Sequence, residues 1–386
     1  MERNETQGLA YIREVVEISS IPNAENIEVA KILDWKVVSR KGELSVGDKV
    51  VYFEIDSLLP ISNPNFAFLE PRGCKEIDGQ KYHRLKTVKL RGQISQGLIM
   101  KASELSLEDK KVGTDVTSEL NLKKYEIENR KNNSCRTIRP DGCFPTHIGF
   151  DKTDETRIQN AGYYIDQWKG KKVIATVKMD GTSSTYFYTK NIKYKNTKTF
   201  EFINSIKKIF KKDIKEFEYG ICSRNLQLKY NSNVPEFGNV YEKISKQLGI
   251  EQKLSDYYKK NGHLLCIQGE ICGDGIQKNP LKLKQNEHKL FVFNIFNINE
   301  QKYLSPKEQE HVLKELNLDG VPVHYVGEFK WNSVDELLQE AEGKYESGVI
   351  REGLVFRLYD EPMKDANGKN SFKVVSNSYL LKYEND

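Results

Sequence analysis

The chain has few of the residues that would staple or metallate it. Its six cysteines, Cys74, Cys135, Cys143, Cys222, Cys266 and Cys272, include no C-x-x-C pair, and its six histidines are scattered. That argues against a zinc site and a disulfide framework and fits a reducing compartment. No apolar run approaches the length needed to cross a bilayer, so no membrane partner is expected. Met1-Glu2-Arg3-Asn4-Glu5 lacks the pattern of a signal peptide, and the expected setting is intracellular, cytoplasmic or nuclear. A large excess of one charge is missing too. Sixty Lys and Arg against 55 Asp and Glu leave +5, too little to indicate nucleic-acid binding unless the cations cluster locally. No internal repeat or extended low-complexity tract is present.

What is there suits a soluble globular protein of two or three domains, with 386 residues and 38% hydrophobic content. The first part reads as short strands: Glu28 to Leu33, Trp35 to Val38, Val50 to Ile55, and strand-like pieces from Lys86 to Met100 punctuated by Gly92 and Gly97. Closely spaced strands with glycine turns predict a small β-barrel, closed by the polar residues 103–118. A polar stretch from Lys123 to about Asn133 is the linker candidate. Beyond it strands and helices mix. Ser305-Pro306-Lys307-Glu308 and Ser333-Val334-Asp335-Glu336 carry capping-box signals and predict helices over about 306–316 and 334–342. Phe291 to Ile298 and Gly353 to Leu358 read as buried strands. In residues 190–217, Lys207, Lys208, Lys211, Lys212 and Lys215 accompany Ile203, Ile206, Phe210, Ile214 and Phe217 at helical spacing. That segment reads as an amphipathic helix whose lysine side is either solvated or in contact with phosphates.

Lys178-Met179-Asp180-Gly181 carries the chemistry. It ends a strand-like run, Lys172 to Val177, and precedes Thr182-Ser183. A lysine amine becomes a covalent nucleophile when its neutral form is favoured and a leaving group is aligned. The tetrapeptide alone says little; its ordered partners add the weight. They are Ser223-Arg224-Asn225; Gln268-Gly269-Glu270 with Gly275-Ile276-Gln277-Lys278; Phe291-Val292-Phe293-Asn294-Ile295; Glu352-Gly353-Leu354-Val355-Phe356-Arg357; and Phe372-Lys373-Val374-Val375. In this order they resemble the covalent nucleotidyltransferase superfamily of polynucleotide ligases and RNA capping enzymes, best its RNA-ligase-2-like branch. Phe150 to Asn160 is similar to the lead-in segment of those RNA ligases. The likeness covers roughly residues 144–386.

The resemblance implies an α+β fold: an N-terminal OB-type β-barrel over 1–122, a linker over 123–143, and a nucleotidyltransferase domain with antiparallel sheets and helices over 144–386. It implies ATP as AMP donor and Mg²⁺ or Mn²⁺. Lys178 would take the adenylyl group and Lys373 would contact the α-phosphate. Phe293 would stack on adenine, Arg224 with Asn225 would contact ribose or the nucleic-acid end, and Arg157 the triphosphate. Glu270 and Glu352 would sit at the nucleotide. Because a bare carboxylate keeps a lysine protonated, Asp180, Glu270 and Glu352 make better metal or metal-water ligands than lysine partners. Many relatives end on K-x-K, where this chain has Lys373-Val374-Val375; Lys382, after Tyr379-Leu380-Leu381, is the candidate second cation.

A barrel in front of a minimal catalytic domain resembles one group of RNA ligases, and Gly47 to Pro60 belongs to the same likeness. Arg84, Lys86, Lys89 and Arg91, with Tyr82 nearby, are the candidate RNA-backbone contacts. In an alternating strand Arg84 and Lys86 share one face and Lys89 and Arg91 the other, so one groove need not use all four. The expected activity is an ATP-dependent RNA ligase joining 3′-OH and 5′-phosphate ends, on a nicked duplex, as a monomer. A DNA ligase of unusual domain order, a capping guanylyltransferase and an RNA-binding protein with an inactive transferase domain are the competing readings.

Overall fold

The structure is a computed structural model that describes residues 8–125, 140–191, 216–230, 239–365 and 368–383. Cys135, the middle of the expected linker, and the lysine-rich segment from 192 to 215 lie outside the described residues.

Lys49–Phe53 organises the front domain because both of its faces are apolar. Val51 and Phe53 enter one apolar cluster with Ile12, Leu59 and Phe66, while Val50 and Tyr52 enter another with Trp35 and Val37. A strand buried on both faces needs partners on both edges and cover above and below. It pairs antiparallel with Ala10–Glu14 and with Leu98–Lys101. Ile27–Ile32 lies between Glu17–Ser20 and Trp35–Arg40, and Ser57–Pro60 pairs with Gln80–Arg84. Thr87–Leu90 and Gln93–Gln96 form a separate hairpin. It turns through Arg91 and Gly92, both at positive φ, as a tight hairpin requires.

Both ends of the expected linker are strands. Lys123–Lys124 pairs with Leu58 and Ser57 of the front domain, and Pro140–Cys143 pairs with Leu226–Leu228.

The second unit holds two large antiparallel sheets and a short hairpin, Lys364–Asp365 with Gly368–Lys369. The larger runs Pro140–Cys143, Leu226–Leu228, Phe217–Ser223, Thr182–Lys190, Leu265–Gly273, His288–Asn297, Lys302–Tyr303. The smaller runs Val323–Glu328, Lys172–Lys178, Gly353–Leu358, Ser371–Val375. The predicted helices form at Pro306–Leu316 and Val334–Ala341, the first with a complete capping box between Ser305 and Glu308. Phe217, expected on a helical face, is the first residue of a strand. Trp168, Phe356 and Phe372 fill the core behind the smaller sheet, their rings about 5 Å apart.

The two units dock through named contacts. Trp35 Nε1 donates to Asn160 Oδ1 at 2.5 Å, and Asn160 Nδ2 donates to Glu54 Oε1 at 2.7 Å. Lys36 pairs with Asp335, and Gln96 donates to Asn377. Ile55 packs on Val375 and Leu380. Burial at this seam pushes the Glu54 carboxyl above its ordinary range, although Asn160 and Arg157 oppose the shift. The folded state therefore holds this proton more tightly than the unfolded chain, and Glu54 costs stability as pH rises through its folded pKa. Glu54→Gln keeps an acceptor for Asn160. It is expected to melt higher than the parent at pH 8, with the gap closing towards pH 5; equal melting curves at both pH values would contradict the assignment.

Candidate functional site

Lys172–Lys178 ends where the two sheets part. Lys178 lies opposite Gly353 in the smaller sheet, and Thr182 starts the next strand opposite Ile271 in the larger one. Met179, Asp180 and Gly181 are therefore the crossing between sheets. Met179 anchors it by burial against Cys272 and Tyr345. Gly181 is required because a Cβ there would stand 2.3 Å from the Ile271 carbonyl oxygen. Gly353, at φ 154°, would place a Cβ 2.1 Å from the Val374 carbonyl oxygen. Both glycines let backbones close around the lysine.

Lys178 Nζ lies 2.7 Å from the Glu352 carboxylate. The Tyr345 hydroxyl ties the two residues together. It donates to the Lys178 carbonyl at 2.8 Å and accepts from the Glu352 N–H at 3.2 Å. Burial disfavours the charge on Lys178, but Glu352, Glu270 and Asp180 outweigh it and hold the pKa above its ordinary value. Sequence reasoning assigned these carboxylates to a metal rather than to the lysine. The structure makes Glu352 the lysine's ion-pair partner.

The excess of carboxyls over cations shows as raised pKa values at the other two. Burial and then Glu352 push Asp180 up to about 7, although Tyr379 and Lys178 oppose this. Burial pushes Glu270 up to about 8, with Lys178 opposing and Glu352 and Asp180 adding to it. Asp180 Oδ2 accepts a 2.8 Å hydrogen bond from the Tyr379 hydroxyl, on the C-terminal helix Asn377–Tyr383.

Cations gather on the neighbouring strand. Lys373 lies opposite Val355, bridges to Arg157, and donates from Nζ to Asp154 Oδ1 at 2.9 Å. Burial lowers its pKa; Asp154 opposes this, and Arg157 and Lys178 add to it. Arg157 Nη2 is 3.9 Å from Asp56 of the front domain, and its buried Nη1 has no hydrogen-bond partner. Arg224 and Asn225 are exposed on the turn between Phe217–Ser223 and Leu226–Leu228, with Arg224 Nη2 3.7 Å from Asp154. Phe293 is half-buried, and its carbonyl accepts from Arg357. It belongs to none of the apolar clusters around it.

Val375, Lys382 and Arg84 each have defined surroundings. Val375 is buried against Ile55 and Leu380, which explains why an apolar residue stands there. Lys382 is exposed, and its ammonium lies 5.1 Å from the centre of the Tyr383 ring. Arg84 is largely enclosed: it donates to Asp56 at 2.6 and 3.0 Å and stacks 3.9 Å from the Tyr125 ring, so it holds the front domain together. Lys86 is half-buried, whereas Lys89 and Arg91 are exposed on the hairpin. Sequence reasoning gave no role to Asp154, Tyr345 or Tyr379. Asp154 lies inside the lead-in segment, three residues before Arg157. Tyr379 stood only as an apolar residue before Lys382.

The donor chemistry fits the expected ligands. An orphaned buried guanidinium nitrogen beside a buried lysine suits an anion such as a triphosphate. Among the described residues no ready-made metal cage exists. Asp180, Glu270 and Glu352 nonetheless form a carboxylate group short of positive charge, which suits a hard divalent cation held partly through water and phosphate oxygens.

An OB-fold domain profile matches residues 9–102, and an RNA ligase profile matches residues 171–375. Among solved structures, Naegleria gruberi RNA ligase with pyrophosphate is similar at 32% identity and a TM-score of 0.80, covering 98% of this chain and 100% of that one. A mutant of the same ligase with AMP and Mn has a TM-score of 0.80 at 32% identity, covering 98% and 99%. Another mutant with ATP and Mn has a TM-score of 0.79 at 32% identity, covering 98% and 100%. A comparison with curated protein sequences returned no match.

Proposed function

The chain belongs to the RNA ligase family and is an ATP-dependent RNA ligase that uses a divalent metal, and we propose that it joins 3′-OH and 5′-phosphate ends through a lysyl-AMP at Lys178. The observation that carries this reading is the position of Lys178. It ends a strand at the parting of two sheets, with Glu352 on one side and the Arg157–Lys373 cations within electrostatic reach.

In the first step Lys178 Nζ attacks the α-phosphorus of ATP. An N–P bond forms, the bond to the bridging oxygen breaks, and pyrophosphate leaves. The lysine must lose a proton, and Glu352 at 2.7 Å is within transfer distance. When bound by Asp180, Glu270 and Glu352, directly or through water, a divalent cation neutralises the carboxylates that hold Lys178 protonated and counters charge on the phosphates. In the second step an RNA 5′-phosphate oxygen attacks the same phosphorus, and lysine leaves. In the third a 3′-OH attacks the adenylylated end, and AMP leaves. All three need in-line alignment and neutralised phosphate charge, which Lys373 and Arg157 supply from one place. Phe293 stacks on adenine, and Arg224 and Asn225 meet the ribose or the RNA end. The exposed hairpin residues Lys89 and Arg91 contact the RNA backbone.

The deciding experiment incubates the protein with α-labelled ATP and Mg²⁺ or Mn²⁺, then supplies nicked duplexes with RNA or DNA on the 3′-OH side. Covalent label followed by preferential sealing of RNA supports the reading. Sealing with equal rates on DNA supports a DNA ligase, and a protein that takes no label refutes the mechanism. Lys382→Ala should stay within about threefold of the parent in both assays, since Lys382 is exposed and its ammonium rests over the Tyr383 ring. A hundredfold loss would restore it as the second motif cation.

A further inference from the structure

Asp154 takes no part in the steps above, yet it stands at the centre of the cations. Its Oδ1 accepts from Lys373 Nζ at 2.9 Å and from the Glu155 backbone N–H at 2.9 Å. Its Oδ2 lies 3.7 Å from Arg224 Nη2 and 3.8 Å from Lys124 Nζ. Its own carbonyl accepts from Lys369 Nζ. These cations come from separate parts of the chain. Lys124 belongs to the front domain, Arg224 to the turn after Phe217–Ser223, Lys369 to a short hairpin, and Lys373 to the strand beside Glu352.

The arrangement is neutralised without being satisfied. Oδ2 is shared between two cations, neither close enough to make a hydrogen bond. A carboxylate has only two oxygens, and Oδ1 is already occupied twice. A phosphate or pyrophosphate brings three or more anionic oxygens and would let each cation close a bond of its own. The Asp154 side chain is also 36% exposed, so solvent and ligands reach it. Burial opposes the charge, but Lys373, Lys124 and Arg224 outweigh it and hold the carboxyl well below the usual range, so it is an anion at neutral pH.

We propose that Asp154 is a built-in stand-in for a substrate phosphate. It keeps Lys373, Arg224 and Lys124 gathered between turnovers and yields its place when a phosphate group of the substrate enters. This rests on the reading of Lys373 as a phosphate-contacting residue. Because Lys124 is a front-domain residue, the phosphate site spans both domains. The entering group is either the pyrophosphate portion of ATP or the 5′-phosphate of RNA; the chemistry is shared.

Asp154→Asn keeps the shape and removes the competing charge. Titration calorimetry of the full chain with pyrophosphate should show about tenfold tighter binding than the parent, with the gain shrinking at high salt. Adding Lys124→Ala to Asp154→Asn should return the affinity towards the parent. Should Asp154→Asn fail to fold, Asp154→Glu serves instead: it keeps the charge, pushes it further among the cations and should weaken pyrophosphate binding several-fold. A second arm compares 5′-phosphorylated with 5′-hydroxyl RNA of one sequence. A gain confined to 5′-phosphorylated RNA assigns the site to the RNA end, and a gain for pyrophosphate assigns it to ATP. Unchanged or weaker binding of both ligands by a folded Asp154→Asn overturns the proposal, as does unchanged pyrophosphate and RNA binding by Asp154→Glu. Labelling of Lys178 by ATP is measured in the parent alongside. A labelled parent with no gain in Asp154→Asn rejects the stand-in alone, whereas an unlabelled parent rejects the ligase mechanism and the stand-in with it.

Discussion

Lys178→Ala and Lys178→Arg are both expected to reduce covalent labelling from α-labelled ATP to background, a loss of at least about 10³-fold. The two substitutions fail for different physical reasons. Alanine removes the nucleophile and leaves Glu352 without the cation 2.7 Å away, beside Asp180 and Glu270. A buried charge stripped of its partner destabilises, so Lys178→Ala should also melt lower than the parent. Arginine can retain the Glu352 ion pair but never becomes a neutral nucleophile near neutral pH. A folded, stable Lys178→Arg without label separates chemistry from folding. Both variants should still seal RNA supplied with a pre-adenylylated 5′ end, because the last step needs no lysine nucleophile. Label at parental levels in either variant would move the adenylylation site to another lysine.

Much of this site is legible in the chain because its parts are local. Lys178 announces itself through a strand run ending on K-x-D-G, and the helix starts at Pro306 and Val334 through their serine caps. The buried strands expected over 291–298 and 353–358 follow from apolar runs and form at His288–Asn297 and Gly353–Leu358. The features that escaped are pairings between distant residues. Glu352 as the lysine's partner depends on the register that sets Lys178 opposite Gly353. The partners of Asp154 come from the front domain, a turn and two strands, and no spacing rule brings them together. Arg84 looked like a surface cation because sequence shows its charged neighbours and not Asp56, which strand pairing brings beside it. Val375 looked like a lost cation; docking of Ile55 turns that position into an interior one. Local chemistry thus reveals the reacting group, while charge pairing waits on tertiary contact.

Lys373→Ala is expected to lower the rate of lysine labelling by about 10² to 10³-fold at saturating ATP, with a smaller rise in the ATP concentration needed for half-saturation. The split follows from where the cation acts. Arg157 has a buried unpaired nitrogen and would remain to bind the triphosphate, so ground-state affinity is partly kept. Charge that builds on the α-phosphate oxygens during transfer has no such substitute close to Lys178. Lys373→Arg should recover less than about tenfold. The buried ammonium bonds Asp154 and feels the charge of Arg157, and a planar guanidinium is larger and points its donors differently. The pH profile gives an independent reading. Burial sets the Lys373 pKa below its ordinary value, so the parent loses this cation earlier than a solvent-exposed lysine would as pH rises. An alkaline fall in labelling rate that is present in the parent and missing in Lys373→Ala belongs to this residue. Labelling rates within threefold of the parent would remove Lys373 from the transition state and leave Arg157 as its stabilising cation.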